Sequence, residues 1–437
     1  MESGLVRVRQ AARRDPSTRF TALLHHVTPQ LLEASFYQLK RRASPGVDGV
    51  TWQQYERELE QRIPELHDRI HRGGYRPQPS KRAWIPKGSS EWRPLGIAAL
   101  EDKVVQQAIR WVLEQIYEED FLGLSYGFRP NRNAHQALDA LAYGLERKRM
   151  NWVLDGDIRG YFDAIDHGCL MQVLEHRIGD RRVLRLIRRW LKAGVLEDGA
   201  WQATESGSPQ GAVISPLLAN IYLHHVLDGW LTAWRESEAK GQVILVRYAD
   251  DFVLGFQYRK DAERCRAVMA ERFASYGLEL HPEKTRLLEF GRFAHERRQK
   301  RGEGKPETFD FLGFTHYCGR SWQGRFRVKR RPMAKRVRHK LQAIGKELRR
   351  RRHRPVNEQG AWLRAVVQGW MNYYAVPDTI HSVGQFRTQV IRHWKAALVR
   401  RSQRGRRLTW RRMASLEARF IPRARIVHGY PHERFAV

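Results

Sequence analysis

Ile244-Leu-Val-Arg-Tyr-Ala-Asp-Asp-Phe-Val-Leu-Gly-Phe256 decides how this chain is read. Two β-rich runs flank the acidic pair Asp250–Asp251. The simplest structure for that pattern is a β-hairpin with the pair at its turn. Adjacent carboxylates repel, so such a turn is costly unless a cation neutralises it. Beside phosphates, the usual cation for oxygen ligands is Mg²⁺.

A second acidic stretch is Trp152-Val-Leu-Asp-Gly-Asp-Ile-Arg-Gly-Tyr-Phe-Asp-Ala-Ile-Asp166. Its apolar, strand-like start ends at Asp157. Brought close to the hairpin, Asp157 would join Asp250 and Asp251 in a site for two Mg²⁺ ions. Ions ~3.5–4 Å apart can activate a 3′-hydroxyl and stabilise departing pyrophosphate. Phosphoryl transfer asks the protein for positioning and charge more than for covalent chemistry. Taken alone, Asp-Asp in a turn is most often just a solvated turn, so the surrounding chain has to decide.

Charge gives the next clue. The 437 residues carry 79 Lys+Arg against 47 Asp+Glu, a net charge of +32. Residues 321–437 hold 30 of those cations and only 5 acids. A field so lopsided attracts a polyanion, with counterion release driving salt-sensitive binding. The run Arg349, Arg350, Arg351, Arg352 is its densest point and the candidate RNA-binding segment. No stretch approaches the ~20 apolar residues of a membrane helix, and the N-terminus lacks the apolar region of a secretory signal. The three cysteines form no CxxC pair, which argues against zinc sites and disulfide frameworks. The expectation is a soluble, cytoplasmic protein without a membrane partner.

The pattern predicts an α+β chain in three parts. Residues 1–80 read as mainly helical, with Leu31, Leu32, Phe36 and Leu39 at helical spacing. Residues 81–320 mix strands and helices. Ala83–Pro86 and Arg93–Ala98 can pair as a hairpin, and Val104, Ala108, Trp111, Val112 and Ile116 share one helix face. Gly207-Ser-Pro-Gln-Gly leads to a helix start with Ser215 as N-cap and Pro216 at the first position. From 321 to 437, strand signals fade and basic helices take over.

Taken in order, these stretches resemble the motifs of reverse transcriptases. Tyr248-Ala-Asp-Asp251 resembles their YADD box, and the run around Asp157 their first catalytic motif. The resemblance implies a right-hand polymerase fold of fingers and palm, followed by an α-helical thumb/maturase domain. It implies Asp157, Asp250 and Asp251 as catalytic residues, with Ile158 joining them in the metal set. Ile85–Ile97 resembles the fingers hairpin, whose Lys87 and Arg93 would hold the triphosphate; Arg suits this because its planar fork binds phosphate in a bidentate way. Gly207–Tyr222 resembles the PQG motif, with Gln210 at nucleotide and template. Gly277–Thr285 resembles the next motif, with Lys284 near the triphosphate. Phe309–Phe314 resembles the primer-grip turn, with Phe311, Leu312 and Gly313 at its centre. Phe162, five positions after Asp157, corresponds to the aromatic that guards against the ribose 2′-hydroxyl; core packing is the other reading of the same ring.

Two segments point to group II intron proteins, the reverse transcriptase–maturases. Arg42–Thr51 resembles their N-terminal extension. Val367–Val376 with Phe386–Trp394 resembles their maturase region, where Trp370 and Tyr374 read as a core stripe among RNA-contacting arginines. The resemblance spans about residues 40–435. It implies group II intron RNA, an RNA template with a DNA primer, target DNA and dNTPs as partners. With the sequence ending at Val437, the expectation is a compact bacterial form lacking the endonuclease domain. The alternatives are a free-standing enzyme of repair or defence, and an RNA-binding splicing cofactor without polymerase activity. The presence of all three aspartates argues against the latter.

Overall fold

The computed structural model describes residues 3–87, 91–197, 200–204, 206–207 and 211–434. Its strands, in chain order, are β1 (Ser80–Lys87), β2 (Glu91–Ile97), β3 (Trp152–Gly156), β4 (Val195–Glu197), β5 (Ala200–Gln202), β6 (Val243–Tyr248), β7 (Asp251–Phe256), β8 (Arg286–Glu289), β9 (Phe309–Phe311), β10 (Phe314–Arg320) and β11 (Phe326–Pro332). They form three sheets ordered β2-β1-β4-β5, β6-β7-β3-β8 and β11-β10-β9. Helices cover the rest, so the α+β expectation holds.

The sheet β6-β7-β3-β8 is antiparallel throughout and stands between two cores. Leu154, Val243, Leu245, Phe252, Leu254 and Phe256 enter one core. Val153, Ile244, Val246, Val253 and Leu288 enter the other. This two-sided burial explains why β6 and β7 read as near-continuous apolar runs instead of alternating ones. Each such side chain contributes roughly 1.5–3 kcal/mol when fully buried.

The first core also contains Leu5, Leu32, Phe36, Tyr55 and Leu66 from the N-terminal helices, together with most of the Leu100–Asp120 helix. Residues 1–80 therefore pack as part of the same body as the strands that follow them. One of these helices, Trp52–Arg57, begins at a capping box in which Thr51 and Gln54 satisfy each other's backbone amides. The second core is completed by the helices Ala334–Arg350, Val356–Tyr374, Ile380–Val399 and Trp410–Phe420.

Two sequence expectations need correction. Strand pairing does not end at 320: β10 pairs with β11 across that boundary, and the all-helical part begins at Ala334. Ser215 is not an N-cap. It is the first residue of the helix Ser215–Leu223, preceded by Ile214, whose side chain makes no cap hydrogen bond. Among the described residues no helix is long and apolar enough to cross a membrane.

Candidate active site

Tyr248 lies opposite Asp251 in the β6–β7 register, so Ala249 and Asp250 form a two-residue turn. Ala249 has φ +58°, the left-handed conformation such hairpin turns demand and glycine usually fills. For a residue with a Cβ this costs about 1–2 kcal/mol, so neighbouring structure has to hold it. Arg247 does so. Its Nη1 donates to the Ala249 carbonyl at 2.9 Å and to Asn220 Oδ1 at 2.9 Å. Its Nε and Nη2 donate to Asp228 Oδ1 and Oδ2 at 2.8 and 2.5 Å. Asn220 in turn donates to the Gly127 carbonyl at 2.7 Å. Gly127 packs so tightly on the turn that a Cβ there would fall 2.3 Å from the Ala249 nitrogen. Asp228 reaches Arg247 from a π-helical segment, His224–Gly229, a local form often seen at functional sites. None of this support was legible in the sequence. The two charges lie in separate elements, and only their simultaneous burial reveals the pair.

Asp157 follows directly on β3, the neighbour of β7 in the sheet, where Gly156 pairs with Phe252. The Asp157 carbonyl accepts from the amide of His281 at 2.8 Å, and Lys284 Nζ lies 3.0 Å from its Oδ2. The aspartates sense one another. Burial, with Asp157 adding to it, raises the Asp250 carboxyl above its usual range, against the pull of Arg247 and Arg93. Burial and then Asp250 and Asp157 push Asp251 up to about 6, with Arg336 opposing. A fourth carboxylate, Asp155, is pushed to about 6 mainly by burial and adds its repulsion to Asp251. The sequence reading overlooked Asp155, although its i, i+2 spacing to Asp157 in a strand was the available signal.

This donor set fits Mg²⁺ in kind: hard carboxylate oxygens, with Asp157 raising the proton affinity of both Asp250 and Asp251. Ile158 adds to the fit. It bridges to Leu280 through bonds made by the Asp157 carbonyl and the Arg159 amide, which leave the Ile158 carbonyl out. Among the described residues no three acidic, His or Cys side chains converge as a ready-made metal cage, and Lys284 serves as the counter-cation of Asp157.

The other candidates gather around this cluster to differing extents. Arg93 is exposed on β2 opposite Ile85, close enough to bias Asp250. Lys87 ends β1, while its side chain and the whole of Gln210 lie outside the described residues. The glycines on either side, Gly207 and Gly211, are described. Gly207 has φ +85°, and a Cβ there would meet the Phe162 carbonyl at 2.9 Å; Gly211 has φ +108°, and a Cβ would meet the Gly96 carbonyl of β2 at 2.6 Å. Gly207 thus sits against the Phe162 backbone and Gly211 against the fingers hairpin. Phe162 itself is half-buried, edge-to-face with Tyr161 and packed against the first core, so it touches the core without being enclosed by it.

Phe311 is buried at the end of β9. Leu312 and Gly313, both at positive φ (48° and 85°), turn the chain into β10. Tyr373 Oη donates to the Leu312 carbonyl at 2.7 Å, and a Cβ on Gly313 would meet Arg336 and Tyr374 at 2.9 and 3.0 Å. Tyr373 and Arg336 therefore tie the C-terminal helices to this turn and to the carboxylates, which the sequence did not indicate. Trp370 and Tyr374 are core, the former stacked on Phe386 with centroids 3.9 Å apart. The Arg349–Arg352 run lies away from the carboxylates at the end of the Ala334–Arg350 helix. There Arg350 and Arg351 both bind Glu347, at 2.8 and 2.5 Å.

Comparison with known proteins agrees with this geometry. A family model described as "Reverse transcriptase (RNA-dependent DNA polymerase)" matches residues 85–316, the span from the fingers hairpin to β10. Protein YkfC of Escherichia coli (strain K12) is 38% identical over 310 residues, covering 62% of this chain and 81% of YkfC. The group II intron-encoded protein LtrA of Lactococcus lactis subsp. cremoris is 38% identical over 209 residues, covering 47% of this chain but only 35% of LtrA. Nuclear intron maturase 1, mitochondrial, of Arabidopsis thaliana is 33% identical over 92 residues, 21% of this chain and 13% of that protein. The chain belongs to the reverse transcriptase family, the RNA-dependent DNA polymerases, and within it is similar to proteins encoded by group II introns.

Proposed function

We propose that this reverse transcriptase binds group II intron RNA, assists its splicing and copies it into DNA during retrohoming. The observation that carries the polymerase half is that Asp157, just past β3, lies beside the Asp250–Asp251 turn of the neighbouring strands and raises the proton affinity of both. These aspartates and the Ile158 carbonyl would hold two Mg²⁺ ions, which when bound supply charge neutralisation for the attacking 3′-hydroxyl and the leaving pyrophosphate. The protein's own part is positioning. Arg247 fixes the Asp250 turn, and Arg93, Lys87 and Lys284 offer cations to the triphosphate. Phe162 stands where a ribose 2′-hydroxyl would press, Gln210 supports the template-facing loop, and Phe311, Leu312 and Gly313 hold the primer end.

The splicing half rests on the printed names of the similar proteins and on the charge of residues 321–437, 30 cations against 5 acids. On this reading the helices from Ala334 onward act as thumb and maturase domain. Their surface cations offset the repulsion between packed RNA helices while the RNA performs its own transesterification. Polymerase and maturase activities should then separate. Asp250→Asn should abolish primer extension on an RNA template yet still accelerate splicing of the intron RNA at a Mg²⁺ level where the RNA alone reacts poorly. Normal extension by that variant would remove the catalytic assignment. Failure of the wild-type protein to accelerate splicing would leave a free-standing reverse transcriptase.

A further inference from the structure

The surplus charge of the chain lies in its C-terminal region, yet a second group of cations is gathered elsewhere. The helix Arg181–Leu191 buries Val183, Leu184, Leu186, Ile187, Trp190 and Leu191. Its other face carries Arg181, Arg182, Arg185 and Arg188, and the chain continues to Lys192, all exposed. Where this helix meets the segment leading into β1, a cleft of about 340 Å³ opens, lined by Arg76, Arg185, Arg188, Arg189 and Lys192 with Pro77 and Ala193. No acid lines it.

The cleft is built, not incidental. Arg76 Nη1 donates to the carbonyls of Gly73 and Tyr75 at 2.7 and 3.0 Å. Arg189 Nη1 donates to the same two carbonyls, at 3.4 and 2.8 Å. Sharing the Tyr75 oxygen keeps these two nitrogens within about 6 Å of each other. The Tyr75 ring that carries this backbone is buried, and its hydroxyl accepts from Trp190 Nε1 at 3.1 Å and donates to Asp102. Two like charges are thus held side by side by a rigid anchor. The Arg189 guanidinium is shifted below its usual range by burial and then by Arg76 and Arg185. The side chains of Arg185 and Lys192 make no hydrogen bond or ion pair among the described residues, and Arg188 reaches Glu175 only at 3.9 Å.

Such an arrangement is relieved by an anion. Its extent favours a polyanion: Arg181 to Lys192 is about three turns of helix, or roughly 16 Å, long enough to follow several phosphates. Among the described residues the helix Arg181–Leu191 itself exposes no large apolar side chain, which leaves it without the apolar face a membrane-surface helix would need. The cleft is also separate from the polymerase site. It lies before the start of β1, whereas Arg93 pairs with Ile85, five residues along that strand from Ser80 and hence about 17 Å farther on.

We propose that this cleft and the helix face beside it bind the phosphate backbone of double-helical RNA. The site gives the intron RNA a second contact, remote from the basic helices, so it rests on the functional reading above. Arg→phosphate forks and sequence-independent charge suit helical RNA, whose bases are poorly accessible from the deep groove. The test uses the full chain with Arg185 and Lys192 both changed to Glu, since neither side chain supports the fold. Binding to a closed RNA hairpin with a blocked 3′ end is measured across a KCl series. The double variant should bind at least about tenfold more weakly at low salt, and the slope of log K against log [KCl] should shrink by roughly 1.5–2. Wild-type affinity and slope in a variant with an unchanged unfolding temperature would overturn the proposal. Should the double variant unfold, Arg185→Gln with Lys192→Gln removes the charges without reversing them, and the same two outcomes decide. A wild-type protein that fails to accelerate splicing, with the slope change intact, loses the intron reading and keeps this site. Accelerated splicing with no slope change overturns the site alone.

Discussion

Arg247 and Asp228 form a fully enclosed ion pair, both side chains at 0% exposure, and the same guanidinium holds the carbonyl of Ala249 at the first position of the Asp250 turn. Burial opposes ionisation of Asp228, but Arg247 and His224 hold its carboxyl below the ordinary range. The pair therefore exists as charges, and each depends on the other. Asp228→Ala should destabilise the protein by about 3–5 kcal/mol, because it strands a buried guanidinium. Replacing both with leucine should recover much of that loss while leaving the strained Ala249 conformation without its clamp. In denaturant titrations the double variant should be more stable than Asp228→Ala; in single-turnover extension it should still be slow. A double variant with wild-type extension would show that the pair serves stability alone.

Phe162 offers a test of a different kind, because its two readings predict different losses. Its ring is half-buried, and its backbone carbonyl backs onto Gly207 at the start of the Gln210 loop. If the ring stands against the 2′-hydroxyl, Phe162→Ala should admit ribonucleotides, raising kcat/KM for rNTPs relative to dNTPs by ten-fold or more, which is about 1.4 kcal/mol or more of lost discrimination. If it only fills core, the variant should lose stability with discrimination unchanged. Primer extension with each nucleotide type, beside a melting curve, separates the two.

The parts of the fold that were legible in the sequence are those where local pattern and tertiary environment agree. The β6–β7 hairpin, β3 leading into Asp157 and the β1–β2 hairpin all fall where residue type and spacing put them. The change from strand to helix lies past 320 for an identifiable reason. Arg325-Phe-Arg-Val-Lys-Arg-Arg331 looks like the onset of a basic helical region, yet it is largely strand β11. Arg327, Lys329 and Arg331 face outward, while Val328 and Arg330 turn inward. The inward Arg330 is neutralised by Asp139, at 3.4 Å, some 190 residues earlier. A buried arginine destroys the apolar/polar alternation that marks a strand, and its partner is too distant for any local window to detect. Arg247 with Asp228, and Arg336 beside Gly313, were invisible for the same reason: each becomes meaningful only when separate elements meet.

Acid should loosen the β9–β11 sheet before it affects most of the chain. His316 on β10 is fully buried and stacked on Phe309 with centroids 4.8 Å apart and planes at 6°. Burial, with nearby Arg330 adding to it, pushes its imidazole down to about 3, against 6.5 when unperturbed. Between those values the unfolded chain binds a proton that the folded chain refuses. The contribution is thus present above about pH 6.5 and is lost progressively as pH falls toward 3. From pH 7 to pH 5 the loss is about 2 kcal/mol. His316→Phe should remove that part of the pH dependence. The check is urea unfolding of both proteins at the two pH values: the wild-type difference should exceed the variant's by about 2 kcal/mol, and equal differences would refute the assignment.

The arginine run at 349–352 divides into side chains engaged in the fold and one left free, and neighbouring substitutions should tell their roles apart. Arg351 belongs to the fold. It binds Glu347 at 2.5 Å and lies 5.1 Å over the Trp362 ring, while the buried Gln359 amide donates to the carbonyls of Arg351, Arg352 and Arg354. Arg350 shares Glu347, whose carboxyl is held at about 2 by its hydrogen bonds to Arg350 and Arg351. The Arg349 side chain is exposed and makes no hydrogen bond or ion pair among the described residues. Of the four, it is the cation most free to meet a phosphate. Arg351→Glu should therefore destabilise the helical region by about 1 kcal/mol or more, losing a cation–π contact and placing two acids at i, i+4. Arg349→Glu should leave the unfolding temperature in place and instead weaken binding and splicing of intron RNA severalfold, with little effect on extension of a short primed template. Splicing at limiting Mg²⁺, extension and thermal unfolding, measured on the same two preparations, give opposite patterns if this division is right. If Arg349→Glu splices like the wild type, the run is a structural helix end with solvated charge, and RNA contact on the C-terminal helices has to come from other cations.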